Sequence, residues 1–178
     1  SKDDKTIAID HSNSFSLETQ VGLEDISYIN VNYYQDNIYG DCSSMNSTTC
    51  NLRAAINHAI DLINNCDDSH MSSMRVVINL DAINTHLISY GQLKIPSAMT
   101  TMNSNKVYDI TLQGDGMKKT ILSFKEQQSG AQGLSVTSDN VRLIDFAVED
   151  AKGDAIKVKG VNGISFIRIR TEQLLFII

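Results

Sequence analysis

Tryptophan is absent, and proline occurs once, as Pro96. Without tryptophan, and with aromatic residues at only 6% of the chain, a dense aromatic binding face is not expected. Positive charge is also scarce. There are 15 Lys and Arg against 21 Asp and Glu, for a net charge of −6. That balance argues against a nucleic-acid backbone as partner, because phosphate binding draws on clustered cations. A cationic polymer or a metal ion stays compatible with it. Long apolar runs are missing too. The most apolar tail, Leu174-Leu175-Phe176-Ile177-Ile178, falls far short of the roughly 20 residues that span a bilayer. No membrane span is expected. From Ser1 onward no secretory signal is visible, so any export signal is expected to have been removed.

Cysteine is sparse, and its spacing is informative. Cys42 and Cys50 bracket the polar loop DCSSMNSTTC, and Cys66 stands apart. A small disulfide ring between Cys42 and Cys50 is the favoured expectation. A metal site is the rival, but no Cys-x-x-Cys pair and no nearby His pair supports it. Cys66 is then free or bonded to another chain. The same loop carries Asn46-Ser47-Thr48, a candidate N-glycosylation sequon at Asn46.

What the chain does have is repetition. In residues 141–172, Val141, Leu143, Ile144, Phe146, Val148 and Glu149 fall on Ile164, Phe166, Ile167, Ile169, Thr171 and Glu172 at a constant offset of 23. The preceding strands repeat as well: Leu134 and Val136 fall on Ile156 and Val158 at an offset of 22. Self-similarity at a fixed period of this size is the signature of a solenoid. Apolar and polar residues alternate within each unit, which predicts half-buried strands rather than helices. An ordinary antiparallel sheet is the alternative. It would need hairpin turns, and the links Ser-Asp-Asn, Ala-Lys-Gly-Asp and Gly-Val-Asn-Gly can equally turn the corner of a coil.

Further strands are expected over residues 28–34, 75–80, 86–89, 92–95, 108–112 and 120–124, each from the same alternation. One helix interrupts them. Leu52, Ile56, Ala59, Ile60 and Ile63 form a single apolar stripe, with Thr48 or Thr49 expected as its N-cap and Asn64-Asn65 at its end. A helix there can cover the first open end of a coil, whose unpaired strand edges otherwise invite association. Residues 1–27 are expected to be an extended arm or added strand, with a disordered tail as the alternative. Residues 28–178 then form one capped domain, all-β apart from this helix.

At this point the chain resembles a family. CNLRAAINHA is similar to the Cys-Ser-Leu-Arg-Glu-Ala cap motif of extracellular β-helix proteins. ITLQGDGMKKTILSF, GAQGLSV and GDAIKVKG resemble right-handed parallel β-helix repeats of the pectin-lyase-like superfamily, over roughly residues 28–172. Two features depart from the pattern: Ala54 stands where the cap motif usually has Glu, and the chain holds fewer coils than enzymes of that superfamily. The resemblance implies a short right-handed parallel β-helix with one N-terminal capping α-helix, in an extracellular or cell-surface protein.

An enzyme of that kind would be a lyase, hydrolase or epimerase acting on an acidic polysaccharide. It would need carboxylates or Ca²⁺ to neutralise a uronate and an Arg, Lys or His base. Ca²⁺ is the only cofactor this allows, and no metal site is assigned. With Ile156 and Val158 inward, Lys157 and Lys159 point outward, and Arg168 and Arg170 lie above Asp145 and Ala147. These four cations are the glycan-binding candidates. The competing expectation, which is favoured, is a solvated ladder of cross-strand ion pairs worth about 0–1 kcal/mol each. Asp150 and Asp154 flank a glycine and are expected to turn a corner. Gly114-Asp115-Gly116 lacks the pattern of a nucleotide loop, the histidines 11, 58, 70 and 86 are scattered with His58 expected on the helix surface, and no Gly-x-Ser-x-Gly or His-Glu-x-x-His motif occurs. With no catalytic cluster, the leading expectation is a structural surface protein that self-associates. It would stack end to end or add strands through Leu174, Leu175, Phe176, Ile177 and Ile178, in filaments where the contact is head to tail. A polysaccharide-binding module, or an enzyme of the lyase or epimerase type, is the second.

Overall fold

A computed structural model of the chain describes residues 24–44, 47–66, 73–80, 83–97, 107–127, 132–172 and 175–177. The order of elements is β1 (Glu24–Asn30), α1 (Leu52–Asn64), β2 (Ser73–Asn79), β3 (Thr85–Leu87), β4 (Leu93–Ile95), β5 (Val107–Gln113), β6 (Ile121–Ser123), β7 (Leu134–Val136), β8 (Val141–Glu149), β9 (Ile156–Val158), β10 (Ser165–Thr171) and β11 (Leu175–Ile177). The described chain is therefore predominantly β, with a single helix.

Every strand pairing among the described residues is parallel. Parallel neighbours usually need a helical crossover, yet no helix lies among the described residues between β2 and β11. The chain instead visits three ladders in turn. The first runs β1-β2-β5-β8-β10, the second β3-β6 and the end of β8, and the third β4-β7-β9-β11. The first two merge through β8 into a seven-stranded sheet, and the third is a separate four-stranded sheet.

Register follows the repeat. Leu143, Ile144, Phe146 and Val148 pair with Phe166, Ile167, Ile169 and Thr171. Leu134 and Val136 pair with Ile156 and Val158. Because side chains alternate at period two, in-register parallel pairing stacks like on like. Ile29, Ile78, Leu112 and Leu143 form one buried column. Val76, Ile110 and Val141 form a second, and Leu93, Leu134 and Ile156 a third. These columns, with Leu122, Phe124, Phe146 and Val148, make one core.

The long strand β8 bends in its middle. Asp145 takes a left-handed backbone conformation at φ 61°, so residues 141–144 pair with β5 and residues 147–149 with β6. Arg168 repeats this at φ 50° in β10. Gly114 accepts the bend: a Cβ there would lie 2.4 Å from the Asp145 carbonyl oxygen, a contact only glycine allows. The Gly114-Asp115-Gly116 stretch is thus a turn packed on β8, with Gly114 N–H donating to Ile144 O and Gly116 N–H to Asp145 O.

Most strand ends fall within two residues of expectation, while β1 and the start of α1 depart from it. The first strand begins at Glu24, inside the stretch assigned to the arm, and stops at Asn30 rather than running to residue 34. Beyond it, the Asn32 and Tyr33 amides both donate to the Cys50 carbonyl, which draws the chain off the ladder toward the cysteine loop. Residues 1–23 of the expected arm lie outside the described residues. The N-cap of α1 is Asn51, not Thr48 or Thr49. Its side-chain oxygen accepts from the Ala54 amide at 3.0 Å, whereas both threonines are exposed in the cysteine loop. Asn65 closes the other end, as anticipated. The stripe Leu52, Ile56, Ala59, Ile60 and Ile63 is buried, and α1 packs on β1, β2 and β4.

Candidate functional site

Three places concentrate polar chemistry or unsatisfied edges: the covered end beneath α1, the charged outer surface of β8 and β10, and the far edges of β10 and β11.

At the covered end, the cap-like motif has a role for each residue. Cys50 is bonded to Cys42 at 2.12 Å. Asn51 caps the helix and also donates from Nδ2 to the Asn37 carbonyl. Leu52 and Ala55 enter the core. Arg53 grips Asp36 with two hydrogen bonds, Nε to Oδ1 at 2.8 Å and Nη2 to Oδ2 at 2.7 Å. It also donates to the Gln92 and Tyr90 carbonyls. The Asp36 carboxylate is fully buried and takes two more hydrogen bonds, from the Ser89 and Tyr90 amides. This clasp ties α1, residues 31–37 and residues 88–92 together. Ala54, the departure from the motif, is buried, and a Cβ on Gly40 would lie 3.0 Å from its methyl group.

Beside the clasp, a cleft of about 580 Å³ opens between β1, the cysteine loop and α1. His58 lines it and is half-buried, not on the open surface as expected. Asp41, next to the lining residue Cys42, has its pKa lowered by hydrogen bonds from Ser43, with a smaller contribution from His58.

The outer charges pair off. Arg168 meets Asp145 at 2.5 Å, and Arg170 contacts both Glu149 and, at 3.3 Å, Glu172. Hydrogen bonding from Arg168 lowers the Asp145 pKa, and the same bond raises that of Arg168. Lys157 lies 3.9 Å from Asp154. Lys159 is exposed and lies just past the end of β9, away from the two arginines in the first ladder. The four glycan-binding candidates therefore split into two partnered arginines on one sheet and two lysines in or just beyond a strand of the other. A second cluster went unnoticed in the sequence. Asp109 sits between Arg142, at 2.9 Å, and Arg75, at 3.8 Å, on the outer face of the first ladder. Only the parallel register brings these three together, so no local motif signals them. Asp150 accepts a hydrogen bond from Ser123 and has φ 61°, as befits a corner. No group of three or more His, Cys, Asp or Glu able to hold a metal ion occurs among the described residues.

No family model matches this chain, and neither does any curated protein or solved structure. The geometry has to carry the functional reading.

At the far side, β10 and β11 are the last strands of their ladders among the described residues, each paired along one edge only. The interior columns change character here. Val141, Leu143, Phe146 and Val148 are fully buried, whereas Ile164, Phe166, Ile169 and Thr171, one level further, are only half-buried. Among the expected assembly residues, Leu175, Phe176 and Ile177 form β11, in register with Ile156, Lys157 and Val158. Leu174 and Ile178 lie outside the described residues, as does Asn46 of the sequon. No helix among the described residues is long and apolar enough to cross a membrane.

Proposed function

We propose that this chain forms a short right-handed parallel β-helix in an extracellular structural or surface protein. Its working surface is the strand-edge end at β10 and β11, and the partner is a second copy. The cyclic visiting of three parallel ladders supports the coil, and the cap-like motif supports its extracellular setting. The Cys42–Cys50 bond fits an oxidising compartment. The observation that carries the assembly reading is the half-exposed core level of Ile164, Phe166 and Ile169 beside two strand edges. Such an end joins another by strand addition, with backbone hydrogen bonds supplying affinity.

The glycan reading draws less support. Arg168 and Arg170 already serve carboxylates of their own chain, and a uronate would have to displace them.

Sedimentation velocity over a concentration series, with negative-stain microscopy of the same samples, tests the proposal. Association that grows with concentration, and that Ile169→Asp weakens at least about tenfold, is expected. A wild-type protein that stays monomeric at high concentration overturns it.

A further inference from the structure

Among the described residues, His86 is the one titratable side chain set inside an apolar column. It lies in β3 and is 1% exposed. Its register partner is Leu122 of β6, which pairs in turn with Val148 of β8, and both are fully buried. Nε2 lies 3.2 Å from the Leu80 carbonyl oxygen, while Nδ1 is buried without a hydrogen-bond partner. A neutral ring donating from Nε2 suits this setting. A second N–H on Nδ1 has no hydrogen-bond partner in place among the described residues, and the charge would sit beside aliphatic side chains.

Among the described residues no facing group compensates. β6 carries no titratable side chain, and Leu80 and Ile83 offer their carbonyls. From residues 34–37, Tyr34 is exposed, and the Asp36 carboxylate is spent on Arg53 and two amides. On α1, Arg53 is held by Asp36, His58 interacts with Asp41, and Asp61 is exposed. At the end of β8, Glu149 serves Arg170, and Asp150 accepts from Ser123. Burial accordingly holds the His86 pKa below the ordinary imidazole value, against the smaller upward pull of the two carbonyls.

The position of β3 decides what acid would release. On one side β3 pairs with β6. On the other it meets only the bridge Gln35↔Leu87, with Asp36 N–H donating to Leu87 O at 2.9 Å and Leu87 N–H to Tyr34 O at 2.8 Å. Those bonds and the Arg53 clasp are what attach residues 31–37 and α1 at this level. β9 and β10 pair with neither β3 nor β6.

We infer that protonation of His86 undocks the helix-covered end, making that cap an acid-released element while the β8–β10 levels stay folded. The inference rests on α1 acting as a cap, as proposed above, and not on the far end associating. The sign follows from the depressed folded pKa. The stability supplied by neutral His86 is complete above the unfolded value of about 6.5 and is lost as pH falls below it toward the folded value.

Hydrogen exchange read by mass spectrometry at about pH 7 and about pH 5, corrected for intrinsic rates, tests this. Peptides from α1 and from residues 85–92 are expected to lose protection by at least about tenfold relative to those from β8 and β10. His86→Gln, which keeps a donor and cannot titrate, should flatten the response, and His58→Gln should leave it intact. An NMR titration of the wild-type imidazoles should place the His86 midpoint below the ordinary value, and it needs no variant to fold. The inference is overturned by a His86 midpoint at or above that value. It is equally overturned by protection lost evenly along the chain, or by an acid response that survives His86→Gln. Association at neutral pH is a separate readout, so failure of the assembly proposal would be seen independently.

Discussion

A buried carboxylate needs a partner more than a cation does, and Asp36 shows how one is supplied. Its side chain has no exposure, while that of Arg53 retains 18%. Removing the guanidinium leaves a buried charge with only two amides to hold it. Arg53→Met should therefore cost about 3–5 kcal/mol in urea unfolding, the usual penalty for an orphaned buried ion. Arg53→Lys should fall between, since it keeps the charge and loses the fork. A loss below about 1 kcal/mol for Arg53→Met would mean that the pair behaves like an exposed one. Arg168→Ala supplies that comparison and should cost no more than an ordinary surface pair. The sequence marks Arg53 through the cap-like motif. Asp36 is a lone acid in a loop 17 residues upstream, and nothing in its local pattern announces burial. The same holds for Asp109, whose two arginines come from strands on either side of it.

Among elements, the strands were the most legible, for a reason peculiar to parallel stacking. A repeat offset of 22 or 23 in the sequence becomes the pairing register itself, so Leu134 over Ile156 and Leu143 over Phe166 could be read before any fold was known. What the alternation could not show was the bend at Asp145. The apolar pattern runs straight through it, and the turn is set by Gly114 pressing on the Asp145 carbonyl from the neighbouring strand. The helix start was misplaced for a related reason. Thr48, Thr49 and Asn51 are all competent caps, and only the disulfide loop decides which side chain faces the helix. Asn51 does two jobs, accepting from Ala54 and donating to Asn37. Asn51→Ala should therefore cost about 1–2 kcal/mol, read as a fall in thermal midpoint. Asn51→Asp, which keeps the cap and loses the Asn37 bond, should recover part of it. Equal losses for both variants would place the whole effect in the Asn37 contact.

For the whole molecule, the two ends are unequal, and this governs what assembly is possible. At one end α1 and the Arg53–Asp36 clasp cover β1 and β4. At the other, β10 and β11 each present a strand edge. A head-to-tail filament needs both ends to accept a neighbour, whereas one competent end closes after a single contact, as an isologous pair. Under the proposed assembly, the filament expected from the sequence would narrow at neutral pH to a tail-to-tail dimer, expected as a sedimenting mass that levels off at twice 19.6 kDa. Undocking of the cap in acid would remove the block, because the first level of each ladder would then present its own strand edges. Longer stacks should appear by electron microscopy at about pH 5 and dissolve on return to neutrality, while His86→Gln should stay paired throughout. Filaments of wild-type protein at neutral pH would show that α1 does not obstruct stacking, and the cap would then be a stabilising element alone.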